Sequence, residues 1–165
     1  MASIRVALET ALFTLVVPGT VAVAVPQLLA RRQPRPRLPI RPGVARVLGA
    51  TSLASGAALY LHTTGRFAAG GGTPSPTDEP NELVTSGLYA QTRNPMYLAV
   101  LLVVVGQALV HRSVAVLWWA AGCWIGFHNR VIGYEEPHLA RKHGVAYERY
   151  CERVPRWLPP LGRMG

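Results

Sequence analysis

The chain holds one lysine, two cysteines and eight carboxylate side chains in 165 residues, and only 15% of it is charged. Each scarcity excludes something. So few charges beside a 50% hydrophobic content exclude a disordered tail protein. Cys123 lies inside an apolar run and Cys151 beyond its end, so no disulfide framework is expected and both read as reduced thiols. No Cys pair has metal-ligand spacing and the five histidines are scattered, so no metal site is expected. Gly70, Gly71 and Gly72 lead into a Pro-rich loop with neither a strand before nor a helix after, which excludes the soluble dinucleotide-binding turn. Repeats and strand-like alternation are also missing. Lys142 is the one lysine and the other sixteen of the seventeen basic residues are Arg, a bias that points to a GC-rich, bacterial genome rather than to a mechanism. A net charge of +9 would suit nucleic acid, but a mean hydropathy of +0.21 suits a soluble basic domain poorly, and no nucleic-acid partner is expected.

What is present is apolar and clustered. Residues 7–29 contain no charge between Glu9 and Arg31, which is long enough to cross a hydrocarbon core of about 30 Å. With one Arg before the run and no small-residue cleavage site, this reads as a retained membrane helix kinked at Pro18, not a signal peptide. Residues 44–61, rich in Ala, Gly and Ser, form a second span suited to close packing in lipid. Residues 95–110 and 114–131, separated by His111, Arg112 and Ser113, read as a tight helical hairpin. The expected fold is therefore an all-α integral membrane protein of about four transmembrane helices in two hairpins. The Gly- and Pro-broken stretch 63–94 reads as a loop on one side of the membrane. The polar stretch 135–156, with Leu139, Tyr147, Tyr150 and Val154 at helical spacing, reads as amphipathic helices broken near Gly144 and opening at Pro137.

Four spans put the termini and the 63–94 loop on one side, with ten basic residues, and the 31–46 loop and Arg112 on the other, with seven arginines. The positive-inside rule then favours cytoplasmic termini in a bacterial inner membrane. The dense 31–46 cluster reads as interfacial arginine on lipid phosphates.

Polar side chains at membrane depth are the best pointers to function. One cluster opens the second hairpin: Leu83-Val84-Thr85-Ser86-Gly87-Leu88-Tyr89, then Arg93-Asn94-Pro95-Met96-Tyr97. Another closes it: His128-Asn129-Arg130, then Tyr134-Glu135-Glu136. Since the hairpin returns the chain to the side it left, the two clusters should meet. On a continuous helix His128 and Glu135 lie two turns apart on one face, as do Asn129 and Glu136. Plain structural roles compete with this: an interfacial histidine, helix N-terminal glutamates, a snorkelling Arg93, and an aromatic belt of Tyr89 and Tyr97.

These motifs, followed by Leu139, Gly144, Tyr147, Tyr150 and the run Val154-Pro155-Arg156-Trp157-Leu158-Pro159, resemble the isoprenylcysteine carboxyl methyltransferase family, integral membrane enzymes related to the phospholipid N-methyltransferases. The resemblance spans residues 70–160 in order. It implies a division into an N-terminal transmembrane hairpin with an Arg/Pro-rich loop (1–62) and a methyltransferase core (63–165). It implies S-adenosylmethionine as methyl donor, with S-adenosylhomocysteine as product. By the same resemblance Asn81, Glu82, Leu83, Val84, Tyr89, Arg93, Asn94, Pro95, Met96 and Tyr97 would line the cofactor, and Glu135 would hold its polar groups. Eukaryotic members carry His where this chain has Asn94. They also place a substrate-binding Arg just before the paired glutamates, where Arg130 is nearest here and Val131 stands closer to the register.

Glu135, Glu136, His128 and Arg130 are the candidate catalytic residues. An amine or thiol acceptor would need a base, for which His128 or a glutamate is available, and a carboxylate acceptor would not. A bacterial chain makes a prenylated protein substrate improbable, leaving a hydrophobic or lipid-embedded small acceptor. Two other classes compete. One is an NADPH-dependent membrane reductase of the sterol-reductase type, which shares an Arg-x-Pro-x-Tyr-like opening. The other is a non-enzymatic lipid-binding adaptor acting through Arg31 to Arg46.

Overall fold

The computed structural model describes residues 18–32, 37–69 and 83–158. Among these the secondary structure is helical, with a single isolated bridge between Arg37 and Ser113. A π-helical turn, Thr20–Ala24, leads into α1 (Val25–Arg32); α2 runs Pro42–Ala69, α3 Pro95–Val110 and α4 Val114–Arg130. A second π-turn, Val131–Glu135, joins α4 to α5 (Glu136–His143), and α6 spans Val145–Arg153. The second hairpin forms where the apolar runs place it. Pro95 fits the first turn of α3, where its missing N–H is not needed, and Ser113 caps α4 by accepting from the Val116 N–H at 3.2 Å. Gly144, with φ +53°, breaks α5 from α6 as the sequence reading anticipates.

The second span is longer than expected. Residues 42–65 of α2 form the one described helix both long and apolar enough to cross a membrane; α3, with 16 residues, is an apolar helix about 24 Å long. Residues 7–17 of the expected first span lie outside the described residues.

α2 sorts its side chains by size in the sense that lipid demands. Ala45, Gly49, Gly56 and Thr63 face inward, while Val47 (67% exposed) and Leu61 (70%) face out. Without a hydrophobic force between helices in lipid, close backbone approach must supply the attraction. It does so along α3: a Cβ added to Gly106 would stand 2.9 Å from the Gly49 carbonyl oxygen, and one on Gly56 would stand 2.8 Å from that of Ala99. Ser52 Oγ donates to the Leu102 carbonyl at 2.7 Å across the same seam. Ala22, Val100, Val104, Ala108, Val116 and Ala120 form the core among the π-turn, α3 and α4.

The π-turn at residues 20–24 has a local cause. Pro26 has no N–H for the Ala22 carbonyl, and its ring crowds that carbonyl, so the helix widens just before it. The freed carbonyls find side chains: Gln107 Nε2 donates to Ala22 O, and Trp119 Nε1 donates to Val21 O at 2.9 Å. Gln27 Nε2 completes the set on Gln107 Oε1 at 3.1 Å. Thus the described distortion of the first helix belongs to Pro26; Pro18, where a kink is expected, stands at the border of the described residues.

Candidate functional site

The hairpin brings its opening and its close together at one end of the bundle. Tyr97, on the first turn of α3, donates its hydroxyl to Glu135 Oε1, and its ring stacks on Phe127 of α4 with centroids 4.6 Å apart. Arg130 Nε reaches the same Glu135 oxygen at 2.9 Å and lies over the Tyr134 ring at 5.2 Å. Glu136 takes two cations: Arg93 Nη1 at 2.9 Å, and Arg156 through both Nε (2.6 Å) and Nη2 (2.8 Å). Arg93 Nη1 also donates to Cys151 Sγ at 2.8 Å. The hydrogen bond with Glu136 holds the Arg156 guanidinium above its ordinary pKa.

A C-terminal strap, residues 154–158, ties these elements. The Arg93 N–H donates to Pro155 O at 3.0 Å, and the Arg156 carbonyl accepts from Asn94 Nδ2 at 2.9 Å and Thr92 Oγ1 at 3.3 Å. Trp157 Nε1 donates to His128 Nδ1 at 3.2 Å, and its ring lies 4.5 Å from Trp124. Tyr147 and Tyr150 of α6 and Val154 of the strap pack with Leu83, Leu139 and Cys151. The Tyr150 hydroxyl donates to Tyr89 O at 2.7 Å, and burial pushes its pKa up to about 12. Tyr147 and Tyr89 shift upward too, for the same reason first.

Of the residues singled out in the sequence, Tyr97 and Arg130 thus meet on Glu135, while Arg93 meets Glu136 and Asn94 meets its partner Arg156. His128 belongs to the aromatic margin of the site, with Trp124 and Trp157. Leu83 and Val84 are half-buried; Pro95 is buried, and Met96 lies beside it at the start of α3. Asn81 and Glu82 lie outside the described residues, as does the Gly70–Gly72 stretch. Helix continuity through Gly133 takes a different form from the one assumed. The π-turn inserts one residue between α4 and α5, so seven residues no longer close two turns, and His128 and Glu135 bond to separate partners. Arg156 and Trp157 complete the site, and in the sequence they stand out only as part of the family-like tail; 20 residues separate Arg156 from Glu136, and no local period signals that pairing.

Two features are left for a ligand. Arg93 Nε is buried with no hydrogen-bond partner. An apolar groove of about 390 Å³ runs between α3 and α4, lined by Leu101, Val105, Leu117, Trp118, Ala121 and Trp124, and it ends on the Trp124 ring beside the strap.

The phospholipid methyltransferase family model matches residues 44–146, which cover α2 to the start of α6. The chain belongs to this family. It is also similar to the protein-S-isoprenylcysteine O-methyltransferase of Schizosaccharomyces pombe, 35% identical over 78 residues, or 47% of this chain and 33% of that protein. The chain therefore spans about a third of the length of that relative. No solved structure gives a significant match. The family model and the yeast relative both support kinship with the isoprenylcysteine carboxyl methyltransferase type. The matched segment contains every residue of the Glu135 pair with Tyr97 and Arg130; the strap follows it.

Proposed function

We propose that the protein is an S-adenosylmethionine-dependent methyltransferase acting on a hydrophobic or membrane-embedded small acceptor. The observation that carries this reading is the meeting of Arg93 with Glu136 and of Tyr97 with Glu135 across some 40 residues of chain, inside the family-matched segment. The residues present fit such a cofactor. Arg93 Nε is a buried cationic donor without a partner, suited to a carboxylate, and the two glutamates offset positive charge nearby. Arg93, Asn94, Tyr97 and Glu135 would hold the cofactor, with Asn81, Glu82, Leu83, Val84, Tyr89, Pro95 and Met96 around it. Bound there, it supplies a sulfonium methyl group to the acceptor.

This chain's own residues then orient and enclose. The strap holds the opening of α3 against α5, and Trp157 and Trp124 keep water from the apolar side. Nδ1 of His128 accepts the Trp157 N–H, so that nitrogen is engaged by the strap. Glu135 and Glu136 are already engaged by cations. With its candidate bases occupied, the site is best matched to a carboxylate acceptor, which reacts without losing a proton. The yeast relative's name, an O-methyltransferase, agrees with this choice, and the groove ending at Trp124 suits the acceptor's hydrocarbon part.

In this reading four helices span a bacterial inner membrane, with the termini and the site on the cytoplasmic face. No observation favours the reductase. Calorimetric titration of the purified protein in lipid nanodiscs with S-adenosylmethionine and S-adenosylhomocysteine tests the proposal. Saturable binding of either is expected; none by demonstrably folded protein overturns it. Transfer of radiolabelled methyl to isoprenoid or fatty acids, but not to the matching amines, tests the acceptor.

A further inference from the structure

The end of the bundle opposite the site carries the densest charge in the chain. Residues 31–46 hold six arginines, Arg112 adds a seventh, and neither stretch contains an Asp or Glu. At the site end, by contrast, Arg93, Arg130 and Arg156 are each paired with a glutamate. Among the described residues, Arg37 and Leu38 are stitched to the Arg112 turn. The Leu38 N–H donates to Arg112 O at 2.8 Å, Arg112 Nε and Nη2 return to Leu38 O at 3.2 and 2.9 Å, and Arg37 bridges Ser113. Arg112 holds φ at +51°, a left-handed conformation uncommon outside glycine, so the stitch is kept against a local backbone preference.

Arg112 thus acts on the backbone, while Arg31, Arg32, Arg37, Arg41 and Arg46 are exposed. The N-terminus of the 28-residue α2 adds positive partial charge at the same end. Because this end of α2 begins its membrane-crossing stretch, the collar stands at headgroup depth. Guanidinium forks match phosphate oxygens in pairs, which an ammonium does not.

We propose that this collar is a binding surface for the phosphodiester headgroups of anionic phospholipids. It is separate from the methyl-acceptor site by the length of α3, about 24 Å, and independent of what that site methylates.

The test uses the full chain in nanodiscs of equal phosphatidylglycerol and phosphatidylcholine, extracted into mild detergent, with bound lipids counted by native mass spectrometry. Phosphatidylglycerol should be retained several-fold over phosphatidylcholine. In the variant R31Q/R37Q/R41Q the ratio should fall by at least half. In the charge-matched R141Q/R149Q/R153Q, altered at exposed positions of the other end, it should not move. R31K/R37K/R41K, which keeps charge and loses the forks, should be intermediate and reports on the surface even if the glutamine variant folds poorly. Equal retention of both lipids by the natural chain overturns the proposal, as does an equal loss in the two glutamine triples. Displacement of the lipid by millimolar inorganic phosphate would reassign the surface to soluble anions.

Discussion

Pro26 and Pro137 do the same thing to the helices that carry them, with different consequences. Each follows a five-residue π-turn by one intervening residue: Thr20–Ala24 precedes Val25-Pro26, and Val131–Glu135 precedes Glu136-Pro137. In both, widening keeps a carbonyl clear of the proline ring. At the first, the turn presents Val21, Ala22 and Val23, and the freed carbonyls are met in the bundle by Gln107 and Trp119. The outcome is packing. At the second, the turn lies at an exposed end and presents Glu135, which the extra residue brings to Tyr97 and Arg130. Here a device that serves packing at one end of the molecule presents a carboxylate to Tyr97 and Arg130 at the other. The π-turn alone therefore identifies nothing; the side chains it displays decide its role.

The largest expected effect separates the two ends. Glu136→Gln leaves Arg93 and Arg156 without their shared carboxylate. Arg93 is 13% exposed, so the loss should be about 2–4 kcal/mol, below the full range for a buried pair because Arg156 reaches solvent. Thermal unfolding in nanodiscs measures it, and cofactor binding should vanish with it. Gln107→Leu should follow at about 1–3 kcal/mol, since the Ala22 carbonyl then lacks its donor in an apolar setting. Pro26→Ala gives the backbone its own N–H, so the double variant should lose less than the sum of the singles; strict additivity would show that Gln107 does not serve the proline-freed carbonyl.

At the second proline the same logic predicts activity changes rather than stability changes. Glu135→Gln should lower S-adenosylmethionine affinity about tenfold, equivalent to ~1.4 kcal/mol, with under about 1 kcal/mol lost from the fold. Pro137→Ala permits the turn to tighten to an α-turn and withdraw Glu135 from Tyr97. It should reproduce most of that affinity loss while leaving unfolding unchanged. Asn94→Ala removes one neutral hydrogen bond to the Arg156 carbonyl and should weaken binding by less, about 1 kcal/mol. A larger effect at Asn94 than at Glu135 would reverse the ranking of the two sides of the site.

These contrasts show where the sequence could be read and where it could not. The bounds of α3, the Ser113 turn and the break at Gly144 follow from local chemistry: a proline at a helix start, a capping hydroxyl, a glycine that accepts positive φ. The convergence of residues 93–97 with 135–136 follows from topology, because a hairpin must return to its starting side. The π-turn at Val131–Glu135 was not legible, since a period of 3.6 applied through Gly133 puts Glu135 on the face of His128. Arg156 on Glu136, Trp157 on His128 and Arg112 on Leu38 were not legible either. Each joins segments whose meeting depends on how the chain reverses, and no spacing along the sequence encodes it.

A further effect lies at alkaline pH and again distinguishes the site end. Burial raises Tyr150 from 10.0 to about 12, so the fold favours its neutral form. That stability is complete below pH 10, and it is lost as the pH climbs from the unfolded value through the folded one, on the order of 2 kcal/mol in all. Tyr150→Phe cannot ionise. It should cost about 1 kcal/mol at neutral pH through the lost bond to Tyr89 O, yet show a flatter decline between pH 10 and 12. Unfolding followed by tyrosinate absorbance across that window reads both effects in one experiment. An unchanged slope in the phenylalanine variant would assign the alkaline sensitivity to Tyr147 or Tyr89, which burial raises in the same direction, and would detach the C-terminal tyrosine cluster from the loop that opens the site.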